Sequence, residues 1–126
     1  MSNWPQNYKN PLGISELGPG GMAESLAKND DFKINTRQLR KFLSMVRKIR
    51  NEIRKENGGY KIQDKLARLY PMLAYSYGRK LINEKFYNFM KESLKSIETP
   101  AEFENFYDFL KAVIAYRKLE ESREEK

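Results

Sequence analysis

The sequence predicts an all-α fold, a single compact bundle of four or five helices with a flexible N-terminal arm. Apolar residues recur at three- and four-residue steps from Leu39 through Ile114, and no segment alternates apolar and polar residues as a half-buried strand does. Glycine and proline gather at the joints between the periodic stretches. With 126 residues the chain makes one domain and a modest core. A third of the residues are charged, yet 40% are hydrophobic, which favours a folded protein over a disordered basic tail. The expected division is an arm over 1–30 and a helical domain over 31–126.

The elements follow in order. Asn10 to Gly21 reads NPLGISELGPGG, with six glycines and prolines in twelve residues, so 1–21 is expected as a flexible arm or an irregular wrap. Met22 to Lys28 is expected as a short helix before the loop NDDFKIN. The first long helix starts at Asn35 or Thr36, either able to cap it, with Gln38 completing a capping box. It ends near Asn57, where Gly58-Gly59 supplies a left-handed stop. Leu39, Phe42, Leu43, Val46, Ile49 and Ile53 form its buried face. Arg40, Arg47 and Arg54 line one flank of that face, and Arg37, Lys41, Lys48 and Lys55 lie opposite it.

A second helix runs from about Tyr60 with Ile62, Leu66, Leu69, Leu73 and Tyr77 on one side, and Pro71 kinks or breaks it. Ile82, Phe86, Phe89, Met90, Leu94 and Ile97 make a third, either separate or continuous with the second through Gly78. Ala74 and Gly78 are expected where helices approach closely; Tyr75, Tyr77, Phe86 and Tyr87 offer rings of the kind that stack on bases, and Tyr75 and Phe86, at apolar positions of their helices, are expected to pack instead. Thr99-Pro100-Ala101-Glu102 reads as cap, first-turn proline and capping-box glutamate. It opens a last helix with Phe103, Phe106, Leu110, Val113 and Ile114 inside, and the tail EESREEK is expected to fray.

The net charge of +7 is unevenly placed: residues 31–60 sum to +6 and 61–97 to +5, whereas 1–30 sum to −1 and 98–126 to −3. A basic middle beside an acidic end suggests one surface for a polyanion and one for protein or solvent. The chain has no cysteine and no histidine. Serine–histidine and cysteine–histidine nucleophilic chemistry is therefore excluded, and the two commonest zinc ligands are missing. Acidic residues of the middle stand singly among cations, where a divalent metal is repelled. No catalysis, no metal and no cofactor are expected. The N-terminus, MSNWPQNYKN, has neither a basic start nor an apolar run, and nowhere do eighteen apolar residues occur together, so a cytoplasmic protein without a membrane partner is expected.

Three segments carry more than composition: INTRQLRKFLSMV (Ile34 to Val46), LAYSYGR (Leu73 to Arg79) and FYDFLKAVIAY (Phe106 to Tyr116). In this order and spacing the chain, from about Phe32 to Leu119, resembles the small subunit of type III-A CRISPR-Cas effector complexes, the small helical protein of the Csm complex. The resemblance implies a non-catalytic subunit. Its copies stack along a filament of backbone subunits holding the CRISPR RNA and line the channel that receives target RNA. Its partners would be crRNA, target RNA, the backbone and large subunits and other copies of itself, in antiviral defence. Lys80 stands where the family often has an acidic residue, and LEESREEK where it often ends in glycines.

Arg40 matches the family's arginine after a leucine early in this helix, and Arg79 its tyrosine-x-x-glycine-arginine, here Tyr75 to Arg79. Guanidinium suits phosphate because it stays charged and donates paired hydrogen bonds. The structural alternatives are helix-end capping or a carboxylate pair for Arg79 and an ordinary surface pair for Arg40. Arg37, Lys41, Arg47, Lys48, Lys65, Arg68 and Lys80 complete the candidate nucleic-acid-binding set, on position alone. The rivals are the type III-B small subunit, a free-standing helical RNA- or DNA-binding protein, and a protein adaptor or membrane-surface protein.

Overall fold

The computed structural model describes residues 8–32, 34–56 and 58–124. Among them lie seven helices and no strand: α1 (Ile14–Leu17), α2 (Met22–Lys28), α3 (Thr36–Lys55), α4 (Ile62–Leu66), α5 (Leu69–Gly78), α6 (Glu84–Lys95) and α7 (Pro100–Glu124). A 3-10 turn at Asp30–Phe32 precedes α3. Five of the helices are seven residues or longer, which is the all-α bundle the periodicity predicts.

The chain is organised around α7. Its expected inner side, Phe103, Phe106, Leu110, Val113 and Ile114, is buried, but so are Glu102, Asn105, Tyr107, Phe109 and Arg117. A helix enclosed on so much of its circumference needs neighbours on several sides. The chain supplies α1 and α2 on one and α3 on another. Tyr8 is fully buried, its ring edge-on to Phe106 at 5.6 Å and tilted against Phe109 at 6.2 Å. Side chains of α7 then stitch down the backbone of this wrap. Asn105 Nδ2 donates to the Tyr8 carbonyl (2.6 Å), the Tyr116 hydroxyl to that of Leu17 (2.9 Å), and Arg117 Nη1 to that of Ala27 (3.2 Å). The expected flexible arm therefore divides. Residues 1–7 lie outside the described residues, whereas from Tyr8 onward the segment is a wrap, and α2 has the bounds its sequence suggests.

The start of α3 is fixed from two directions. Asn35 caps it, accepting from the amides of Arg37 (2.8 Å) and Gln38 (3.3 Å). From the far end of α7 the Glu121 carboxylate accepts from the Thr36 amide (2.8 Å) and hydroxyl (2.9 Å), placing an anion at the positive end of the α3 dipole. The tail expected to fray is thus helical through Glu124, held by this bond and by the approach of Glu121 to buried Arg117 (3.9 Å). At its other end α3 stops at Lys55 with Glu56 extended, short of the glycines. Gly58 and Gly59, at φ +94° and +79°, turn the chain back instead of ending the helix. Asn57, the expected last residue, lies outside the described residues.

Pro71 breaks the second helix one turn earlier than its own position. Its ring meets the carbonyl four residues back, so the break falls at Ala67 and Arg68. Pro71 itself sits in the first turn of α5, where a missing amide is harmless. The Gln63 side-chain amide donates to the carbonyls of Leu94 and Ile97 (2.8 Å each), tying α4 to the last turn of α6 and the residues just beyond it. At the head of α7 the Glu102 amide donates to Thr99 Oγ1 (3.1 Å), and its carboxylate accepts from the Glu98 amide (2.6 Å), one residue before the cap.

Burial pushes the Tyr8 phenol far above its usual range. Folding thus favours its neutral form, and that contribution is complete below pH 10 and lost as pH rises past the unfolded value. Alkaline denaturation checks this: above pH 10 the wild type should lose stability faster than Tyr8→Phe, by up to roughly 1.4 kcal/mol per pH unit.

Candidate nucleic-acid interface

Contacts of α3 with its neighbours sort its cations into two groups. The two helices α3 and α7 run antiparallel. Arg54 forms a two-pronged pair with Glu104 (2.7 and 3.0 Å), and Arg47 Nε donates to the Tyr107 hydroxyl (2.9 Å). Beyond the glycine turn Lys65 pairs with Glu56, and Arg68 donates to Glu52 at 2.7 Å. These hydrogen bonds raise the pKa of Arg54 and of Lys65. Lys65 and Arg68 are thus neutralised within the fold, whereas Arg47, like Arg79, is tied by one nitrogen to a tyrosine hydroxyl and keeps its charge. Arg37, Arg40, Lys41 and Lys48 are exposed and have no side-chain hydrogen bond or carboxylate partner among the described residues. Arg40 belongs to the same heptad series as Arg47 and Arg54 and is the member without such a partner. With Arg37, Lys41 and Ser44 it borders a shallow polar cleft of about 490 Å³ that Glu121 also lines.

The second motif ends α5. Helices α5 and α6 are not continuous: the Leu81 amide bonds the Ser76 carbonyl and the Lys80 amide that of Tyr77, both at 2.9 Å. This is the double-bonded helix stop that favours glycine in its left-handed position. Here that position is Lys80, at φ +63°, and Gly78 lies two residues too early to fill it. Asn83 then caps α6 by accepting from the Phe86 amide (2.8 Å). Arg79 is the residue after α5. Its side chain caps no carbonyl and pairs with no carboxylate among the described residues; Nη1 donates to the Tyr75 hydroxyl (3.0 Å).

Between α3, α5 and this stop lies a cleft of about 420 Å³ with an apolar floor of Leu39, Phe42, Leu73, Ile82 and Phe86. Lys41 and Arg79 stand on it, and Lys41 also borders the polar cleft of Arg37 and Arg40, so the two openings are contiguous. Phe86 is buried as expected, but Tyr75 is 63% exposed. Only Leu69 and Leu73 of α5 are buried, because the helix meets the core along one narrow line. Ala74 and Gly78 are exposed too, and a Cβ at Gly78 would meet nothing within 4 Å, so they are not contacts between helices of this chain.

The Csm2 Type III-A family matches the chain over residues 20–123. The chain belongs to the Csm2 family. It is a small subunit of the type III-A CRISPR-Cas effector, the Csm complex, assembled with the other subunits of that complex. Neither curated proteins nor solved structures yield a match. The Csm2 match takes in all of α2 to α6 and α7 to Arg123, hence every candidate residue, and begins after α1. No helix among the described residues is long and apolar enough to cross a membrane.

Sequence reasoning missed two parts of this Csm2 surface. The first is Glu121, an anion beside Arg37 and Arg40. The second is the apolar cleft, whose walls are 30 and more residues apart in sequence. The acidic end also differs from its expected form as a separate face. Glu102 and Glu121 cap helix starts, Glu104 holds Arg54, and Asp108 and Glu120 pair with Lys111 and Arg123.

Lys80 supplies a sharp local test. Lys80→Gly should stabilise the Csm2 subunit by about 1 kcal/mol, read as a rise of a few degrees in thermal midpoint. Gly78→Ala should not destabilise it, because α5 there is helical and open.

Proposed function

We propose that this Csm2 subunit contacts the sugar-phosphate backbone of the crRNA and target RNA held in the complex, through the free cations of α3 and through Arg79. The observation that carries the reading is the sorting of charge. The exposed Arg37, Arg40, Lys41 and Lys48 remain unpaired on one helix, and Lys41 links that surface to Arg79. Cations without partners are available to neutralise phosphates, and a row of them reads backbone and not base sequence. Lys80, exposed beside Arg79, extends the same field. Lys65 and Arg68 are held by carboxylates of the fold, so their part in RNA contact is correspondingly small, while Arg47, bound only to the neutral Tyr107 hydroxyl, adds its charge to the row.

The subunit performs no chemistry in this reading. It lines the RNA channel in several copies stacked along the complex, in antiviral defence. A free-standing RNA-binding protein would hold RNA tightly alone, whereas a subunit of this kind binds weakly until assembly raises its effective concentration.

Filter or fluorescence titration of target RNA with the reconstituted complex tests the reading. Arg40→Ala with Arg79→Ala should weaken binding at physiological salt by at least about tenfold and lower the salt slope by roughly 1.5 for each copy that lines the channel. Lys65→Ala with Arg68→Ala should leave affinity within about twofold, since an exposed pair contributes at most about 1 kcal/mol to the fold. Unchanged affinity in the first variant, with the complex intact, contradicts the proposal.

A further inference from the structure

Of the two exposed tyrosines flanking Ser76, one is occupied and one is not. The Tyr77 ring stacks on Tyr87, with centroids 4.9 Å apart and planes 13° apart. Tyr75 has no ring against it among the described residues. It borders the cleft between α3 and α5, steadied by Arg79, whose guanidinium lies 5.7 Å from the ring centroid besides donating to the hydroxyl. Gly78, one turn along α5 from Tyr75, carries no side chain to cover the ring. Nothing inside the chain requires glycine there, since its φ is ordinary and a Cβ would be in open space. An exposed aromatic beside an uncovered glycine is a surface on which a flat group can lie.

We propose that this cleft is a nucleobase pocket: one base turned out of the RNA beside α3 enters it against Tyr75, with the adjoining phosphates on Lys41 and Arg79. The inference rests on the RNA reading above and adds the site and chemistry of one contact. Size and lining agree, because about 420 Å³ falls within the usual range of small-molecule sites and the floor is apolar. Polar atoms are few, as such a site requires. Gln38 and Ser76 line the cleft and can donate to and accept from the edge of a base. The charge selects among occupants. Two cations and no carboxylate line the opening, which favours a ligand with an apolar face and an anionic margin. A nucleotide has both. An aliphatic anchor from a protein would use the floor and leave Lys41 and Arg79 without partners. Stacking on an aromatic side chain is how single-stranded nucleic acid is held without base-sequence readout.

The test uses the reconstituted complex with target RNA carrying 5-iodouridine at one position at a time, irradiated and mapped by mass spectrometry. The pocket predicts a crosslink to Tyr75 from a restricted set of positions. An abasic site at such a position, and Tyr75→Ala, should each weaken binding at least about fivefold. Combined, they should weaken it no further than either alone, and Tyr75→Trp should restore it. Crosslinks confined to α3, with no effect of Tyr75→Ala or of the abasic site, would overturn the pocket while leaving the RNA reading in place. No crosslink to α3 or α5 would overturn both. A photoreactive residue at Leu81 that captures a neighbouring subunit, in a complex that binds RNA normally, would assign the cleft to protein and also overturn it.

Discussion

Burying α7 on several sides is the constraint from which the rest of the structure follows. A helix carrying Phe103, Phe106, Phe109, Leu110 and Val113 around its circumference cannot be covered by one neighbour. The chain folds its N-terminal segment onto one side and lays α3 antiparallel along another. The polar atoms α7 buries are answered at the same time: Asn105 and Arg117 bind the backbone of the wrap, and Glu121 caps α3. Unpaired, these groups would each be expensive to bury; satisfied, they fix the positions of the segments they hold. The register of α3 on α7 is therefore set at both ends, by Glu121 on Thr36 and by Glu104 on Arg54.

That register decides which positive charges face outward unpaired. A stripe of arginines at heptad spacing on α3 looks uniform in sequence. The acceptors of α7, Tyr107 and Glu104, reach only Arg47 and Arg54, and Arg40 stays free. Glu52 and Glu56 likewise hold Arg68 and Lys65 across the glycine turn. The same packing that stabilises the bundle thus leaves Arg37, Arg40 and Lys41 free in the first two turns of α3, near the α5 stop and its tyrosine, with Lys48 and Lys55 exposed further along the helix.

Local chemistry made most of the fold legible in the sequence. Asn35, Thr99 and Pro100 mark helix starts by capping physics, and the three- and four-residue steps of α3 and α6 name their buried faces. What failed failed for tertiary reasons. The segment over 8–30 has glycine and proline enough to read as a flexible arm or an irregular wrap alike, and only the buried ring of Tyr8 and the donors of α7 decide for the wrap. The α5 segment is apolar enough to look internal, yet only Leu69 and Leu73 reach the core, so Tyr75 stands outside. Helix α7 shows little one-sidedness in sequence, because it is buried widely and its exposed stripe of Asp108, Lys111, Ala115 and Lys118 is narrow. Resemblance of the three motifs to the Csm small subunit gave Arg40 and Arg79; position alone could not separate Lys41 and Lys48 from Lys65 and Arg68, since their partners come from other segments.

The most direct measurement of this sorting is lysine labelling of the assembled complex, with and without target RNA, read residue by residue by mass spectrometry. Protection by target RNA of Lys41, Lys48 and Lys80, with Lys65 unchanged, is the result the account predicts. Equal protection of Lys65, or no protection of Lys41 and Lys48 in a complex that has bound its target, would contradict it.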